Sequence, residues 1–94
     1  MRGFFINDYL MFFAYILYSP SKDSFYIGSS GDLFDRLRRH NGGQSLATKN
    51  GCPWILAYFE VFESRALAVQ RELYFKSKKS KIFLRKLCFP YLSI

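Results

Sequence analysis

The seven residues Phe12-Phe13-Ala14-Tyr15-Ile16-Leu17-Tyr18 constrain this chain more than any other stretch. They are rich in β-formers, too short for a good helix, and closed by the turn residues Ser19-Pro20-Ser21, so they predict a first strand. Extended character resumes from Ser24 to Ser29 after Lys22-Asp23, which predicts a hairpin with a loop of about four to six residues. Side chains alternate along a strand, so Phe13, Tyr15 and Leu17 share one face of the first, and Tyr26 and Gly28 share one face of the second. The register that would bring the two tyrosines together is left open.

After the hairpin, Gly31-Asp32 punctuates the chain, and Asp32 is a good N-cap for a helix from Leu33 to His40. Leu33, Phe34 and Leu37 form its expected buried stripe. Arg36 and His40, four apart, lie on one side of it, and Asn41-Gly42-Gly43 ends it. Gln44 to Pro53 is a polar loop that reads first as a plain solvated connection, with Thr48, Lys49 and Asn50 as its candidate ligand contacts. Trp54 to Phe62 is a third strand, and its near-continuous apolar character predicts burial on both faces, in the middle of the sheet or between helices. Ser64 caps a second helix to about Lys76, with Ala66, Val69 and Leu73 inside, Leu67 and Tyr74 flanking them, and Glu72 at the margin. Lys76, Lys78, Lys79 and Lys81 make a basic joint before a last helix, Ile82 to Leu87, which would pack Ile82, Phe83 and Leu87 inward before Pro90. Strand, strand, helix, strand, helix, helix predicts an α/β (α+β) fold with a small three-stranded antiparallel sheet flanked by helices.

A chain of 94 residues supports one core, and with half its residues hydrophobic and 20% aromatic it has the means to fold. Residues 1–10 read as an N-terminal extension and 11–94 as the single domain. Asn7 and Asp8 interrupt the early apolar run and no small-x-small site follows, which argues against a signal peptide, and the run is too short to span a bilayer. The net charge of +7 favours a polyanionic partner, nucleic acid first and a membrane surface second. Cys52 and Cys88 suit neither a zinc site nor a disulfide framework; they read as reduced thiols of a cytoplasmic protein.

Singly, the reactive side chains have ordinary explanations. Arg36 and His40 suit a solvated helix face, Tyr15 and Tyr26 suit core aromatics with hydroxyls at the rim, and Glu72 pairs with Lys76 at i+4. Together, Tyr15, Tyr26-Ile27-Gly28, Arg36, His40 and a helical Glu72 form an ordered set that resembles the GIY-YIG nuclease family. The first tripeptide stands here as Phe13-Ala14-Tyr15, and the second is intact. The chain is most similar to the small single-domain bacterial members through Tyr15-Ile16-Leu17-Tyr18-Ser19, Tyr26-Ile27-Gly28-Ser29-Ser30, Asp32-Leu33, Arg36-Leu37, Arg39-His40-Asn41, Pro53-Trp54 and Phe62-Glu63-Ser64-Arg65.

The resemblance implies hydrolysis of a DNA phosphodiester with one divalent metal, Mg²⁺ or Mn²⁺, held by Glu72. Arg36 would stabilise charge on the phosphoryl oxygens, one of Tyr15 and Tyr26 would act as general base or position the water, and His40 would assist with substrate or proton transfer. Gly28 would let the backbone approach the sheet surface or DNA, while Arg38, Arg39, Lys49, Lys76, Lys78, Lys79 and Lys81 would track phosphates. Specificity would be structural, weak or delegated to a partner protein. A non-catalytic nucleic-acid-binding module is the alternative, and a basic domain at a membrane surface is a third reading.

Overall fold

The computed structural model describes residues 4–6 and 9–90, with side chains from residue 10 to residue 90. Its elements are β1 (Phe4–Ile6), β2 (Tyr9–Ser19), β3 (Ser24–Ser30), α1 (Leu33–Asn41), β4 (Ile55–Phe62), α2 (Arg65–Lys78) and α3 (Lys81–Cys88), with a short 3-10 turn at Lys49–Gly51. The expected three-stranded antiparallel sheet is present: β3 and β4 both pair antiparallel with β2. The short β1, within the segment read as an extension, pairs with the first residues of β2, Phe4 opposite Met11 and Ile6 opposite Tyr9.

The middle strand is β2, where the sequence favoured Trp54–Phe62 as central or covered on both sides. β4 pairs only with β2, and it leaves Ile55, Phe59 and Val61 40–47% exposed. Phe13 to Leu17 of β2, by contrast, are all buried. Both segments are apolar runs, and periodicity alone cannot say which one acquires neighbours on both edges.

Alternation along β2 divides the core in two. Phe13, Tyr15 and Leu17 cluster with Leu33 of α1 and with Trp54, while Ala14 and Ile16 cluster with Phe75 of α2 and Leu84 of α3. One helix thus covers one face and two cover the other. Cys52 packs on the first cluster and Cys88 on the second, so the sheet separates the two free thiols. Burial pushes the Cys88 thiol up to about 11, which keeps it protonated and unreactive near neutrality.

Asp32 and Ser64 cap their helices as the sequence predicts, their side chains accepting from the backbone N–H of Asp35 and Leu67. Ser80, which the sequence places in the basic joint, does the same for α3 by accepting from the Phe83 N–H. The buried stripes differ from expectation. On α1, Leu33 is buried but Phe34 is 65% exposed, and the position turned inward is His40. On α2 the inner residues are Ala68 and Phe75, whereas Leu67, Val69, Leu73 and Tyr74 are exposed and Ala66 also faces out. On α3, Leu84 is inside with Phe83 and Leu87 against it, and Ile82 is 70% exposed.

Charged side chains rotate α2. Arg71 donates two hydrogen bonds to Glu60 of β4, and Glu72 accepts one from Ser29 of β3, so both lie half-buried on the inner side beside Ala68 and Phe75. A helical wheel ranked by hydrophobicity places charges outside; here each finds its partner on the sheet. Among the described residues no helix is long and apolar enough to cross a membrane.

Candidate active site

The register of β2 and β3 settles how the tyrosines meet. Tyr15 stands opposite Gly28 and Leu17 opposite Tyr26, so the tyrosines are diagonal neighbours on the α1 face, ring centroids 6.5 Å apart. A Cβ at Gly28 would lie 2.6 Å from Tyr15 Oη and 2.7 Å from its Cζ. The close approach that this glycine permits is that of the Tyr15 ring itself.

His40 reaches the same spot from the last turn of α1. It is 3% exposed, with Nε2 3.1 Å from Tyr15 Oη, Nδ1 2.8 Å from Thr48 Oγ1 and its ring centroid 4.6 Å from that of Tyr26. Only one proton arrangement satisfies every group. Tyr15 is 1% exposed, so its O–H must donate to His40 Nε2; Nδ1–H then donates to Thr48 Oγ1, whose own proton points to the Ser45 carbonyl at 3.5 Å. Burial, reinforced by Tyr26 and Glu72 and opposed by Arg36, drives the Tyr15 phenol far above its ordinary range. Tyr15 is therefore a fixed donor, and both ring nitrogens of His40 are engaged within the protein. Thr48, expected as a ligand contact, is 1% exposed and serves as the imidazole's prop.

Burial first, and the nearby Arg36 charge second, hold the His40 pKa below its ordinary value. The native state thus prefers neutral imidazole, while the unfolded chain takes up a proton near pH ~6.5. Between those values the unfolded state binds more protons, so stability rises with pH. The stabilisation should be complete above about pH 6.5 and shrink as pH falls from there through the lower native pKa. Because His40 is the only histidine, urea unfolding across this window in the wild type and in His40→Gln should show a slope that the variant lacks.

Arg36, one turn before His40, is exposed at the rim. It lines a cavity of about 170 Å³ with Tyr26, His40, Arg39, Gln44 and Ser45, and its side chain makes no hydrogen bond or ion pair among the described residues. Its neighbours differ: Arg38 and Arg39 both pair with Asp35, at 2.6 and 2.9 Å. Arg36 is thus a cation with no ion-pair partner among the described residues, beside a phenol and a neutral imidazole.

Glu72 comes from the opposite face. Its Oε1 accepts from Ser29 Oγ at 2.6 Å and its Oε2 from Lys76 Nζ at 2.6 Å. β3 is an edge strand, pairing only with β2, and the Glu72 charge still opposes ionisation of Tyr15 across it. Four of the five expected residues therefore meet on the α1 face, and Glu72 approaches the same edge from beneath. The described residues hold no group of three or more His, Cys, Asp or Glu. A hard divalent ion needs only a carboxylate oxygen if water and phosphate complete its shell. Glu72, oriented by Ser29, fits that requirement once the 49% exposed Lys76 side chain swings aside.

The remaining basic residues divide between the faces. Arg38 and Arg39 flank Arg36 on α1, and Lys49 is exposed in the 3-10 turn. Lys76, Lys78, Lys79 and Lys81 sit at the α2–α3 joint behind the sheet, where Lys78 lies over the Tyr74 and Phe83 rings and Lys81 joins Arg85 on Asp23.

Two supports stand in the segments that carry the family resemblance but are given no role there. Ser29 holds Glu72, and Asn41 clasps the Trp54 backbone by donating to its carbonyl and accepting from its N–H.

Comparison with known proteins identifies the family. The family model of the GIY-YIG catalytic domain matches residues 11–86. A UPF0213 protein of Streptococcus pyogenes is 36% identical over 70 residues, 73% of this chain and 75% of its own length. One of Haloquadratum walsbyi is 37% identical over 73 residues, 77% and 79%. The solution structure of the UPF0213 protein BH0048 from Bacillus halodurans superposes with a TM-score of 0.51 at 25% identity, covering 86% of this chain and 89% of that one. With its diagonal tyrosines, its arginine and histidine on one helix and a glutamate on the next, the chain belongs to the GIY-YIG nuclease family.

Proposed function

We propose that this protein is a metal-dependent endonuclease that hydrolyses phosphodiester bonds in DNA, choosing its sites by structure or with weak specificity. The observation that carries the reading is the Arg36 guanidinium, unpaired among the described residues, sharing a cavity with Tyr26 and with His40, which is hydrogen-bonded to the buried Tyr15. A planar guanidinium matches two phosphoryl oxygens and stays charged, so it favours the added negative charge of the transition state. Tyr15 spends its hydroxyl on His40, which leaves Tyr26, half-buried and facing the cavity, to orient the attacking water. Tyr15 and His40 are positioning residues that hold α1, and with it Arg36, against the sheet. Mg²⁺ or Mn²⁺ at Glu72 would supply Lewis-acid polarisation of a phosphoryl oxygen. The protein would act in the cytoplasm, where its thiols stay reduced.

A panel of single-stranded, nicked, flap and branched DNA, incubated with Mg²⁺ or with EDTA, tests this. Cleavage is expected only with metal, and Arg36→Ala should slow it by about 10²–10³-fold, the usual cost of removing one preorganised donor. Cleavage by Arg36→Ala at the wild-type rate would remove the assignment.

The Glu72–Lys76 pair favours a second reading, a nucleic-acid-binding module without catalysis, because an internal ammonium already neutralises the carboxylate. That module would bind DNA or RNA equally well after Glu72→Ala and without metal. Metal-stimulated cleavage excludes it.

A further inference from the structure

We propose that Arg65 and Arg36 form a second phosphate subsite, which takes a DNA backbone phosphate neighbouring the scissile one; this rests on the nuclease reading above. A cavity of about 180 Å³ opens where β3 ends, lined by Arg36 and Arg39 of α1, Arg65 of α2, and Asp32 and Asp35. Three guanidinium groups outnumber the two carboxylates there: Asp35 holds Arg38 and Arg39, and Asp32 keeps its charge while its Oδ1 accepts from the Asp35 N–H. Among the described residues neither Arg36 nor Arg65 pairs with a carboxylate, and the sole side-chain partner of Arg65 is the Phe12 ring, 4.8 Å from Cζ to its centroid. The cavity therefore keeps an excess positive charge, which a bound anion would balance. The forked donors of Arg36 and Arg65 suit phosphate.

Placement supports a neighbouring backbone phosphate over an isolated ion. Arg36 also lines the cavity with Tyr26 and His40, so the two sites share one wall. On α2, Arg65 and Glu72 are seven residues apart, which is two turns, and so they lie on one side of the helix about 10 Å apart along its axis. α1 from one face and α2 from the other thus both present cations at the same end of β3. A strand crossing this edge would meet the reacting groups and Arg65 in succession. Arg65 would then set how the strand is registered on the site.

The test uses the full chain carrying Glu72→Gln, so that DNA stays intact, and reads binding of labelled branched and duplex DNA by anisotropy across a salt series. Adding Arg65→Gln should weaken binding and make the slope of log K against log salt shallower by about 0.9, the signature of one lost phosphate contact. Arg65→Lys should keep the slope, and Phe12→Leu, which removes the ring but keeps the charge, should leave it unchanged. Methylphosphonate placed next to the cleaved bond should weaken the Arg65 protein and leave Arg65→Gln unaffected. An unchanged slope and affinity in Arg65→Gln would overturn the subsite, as would an equal loss in Phe12→Leu, which marks Arg65 as packing. Inorganic phosphate that competes beyond its ionic strength would also overturn it, by assigning the cavity to a free ion. If the wild type cuts no DNA while Arg65→Gln still flattens the slope, the phosphate contact stands and the nuclease reading falls.

Discussion

Glu72→Gln should lower metal-stimulated cleavage about a thousand-fold while leaving the fold and DNA affinity nearly intact. The amide keeps an oxygen to accept from Ser29 Oγ, 2.6 Å away in the wild type, so the tie between α2 and β3 survives. It loses the full negative charge that a divalent ion requires. Charge stabilisation by such an ion is worth several kcal/mol, and about 4 kcal/mol corresponds to three decades in rate. The Lys76 pair contributes little to stability, because an i,i+4 pair on a solvated helix side is worth only a few tenths of a kcal/mol. Single-turnover cleavage over a Mg²⁺ titration, with thermal unfolding as control, separates the two effects. A loss confined to the rate supports Glu72 as the ligand, and a variant as active as wild type sinks that role.

Gly28→Ala should be strongly damaging for a change of a single methyl group. The new Cβ would stand 2.6 Å from Tyr15 Oη, and the ring cannot retreat without abandoning His40. Overpacking of a filled core costs about 1–3 kcal/mol. Breaking the buried Tyr15–His40 hydrogen bond adds about 1–3 kcal/mol for the orphaned groups. Against a typical total of about 5–15 kcal/mol, the sum leaves a marginal domain. The collision has one partner, so its energy should vanish when that partner is gone: Gly28→Ala in a Tyr15→Ala background should cost much less than alone, with a coupling of about 1–3 kcal/mol in urea unfolding. Additive costs would mean that the ring and the glycine do not interact.

Local chemistry was legible in the sequence, and tertiary neighbourhood was not. The caps at Asp32 and Ser64, the turn at Pro20 and the order of elements after β1 depend on residues close in the chain, and the structure has them where expected. The middle of the sheet was misplaced because Phe12–Tyr18 and Trp54–Phe62 have the same apolar texture, and only pairing distinguishes them. The α2 stripe was misread because Arg71 and Glu72 find partners on β4 and β3, contacts remote in sequence. At the site, the ordered set Tyr15, Tyr26, Arg36, His40 and Glu72 identified the family. The engagement of both His40 nitrogens had no signal, since it depends on the register of β2 against β3 and on where the 44–53 loop folds back.

That fold-back gives the protein a built-in reporter. The loop is stitched at Asn41 to Trp54, at Trp54 Nε1 to the Thr48 carbonyl, and at Thr48 to His40 Nδ1. The Nδ1 proton of the sole histidine is shielded by this stitching and reaches water only when the loop lifts. Its hydrogen-exchange lifetime therefore counts loop openings one by one, and a substrate that settles on Gln44 and Ser45 should lengthen that lifetime before any bond is cut.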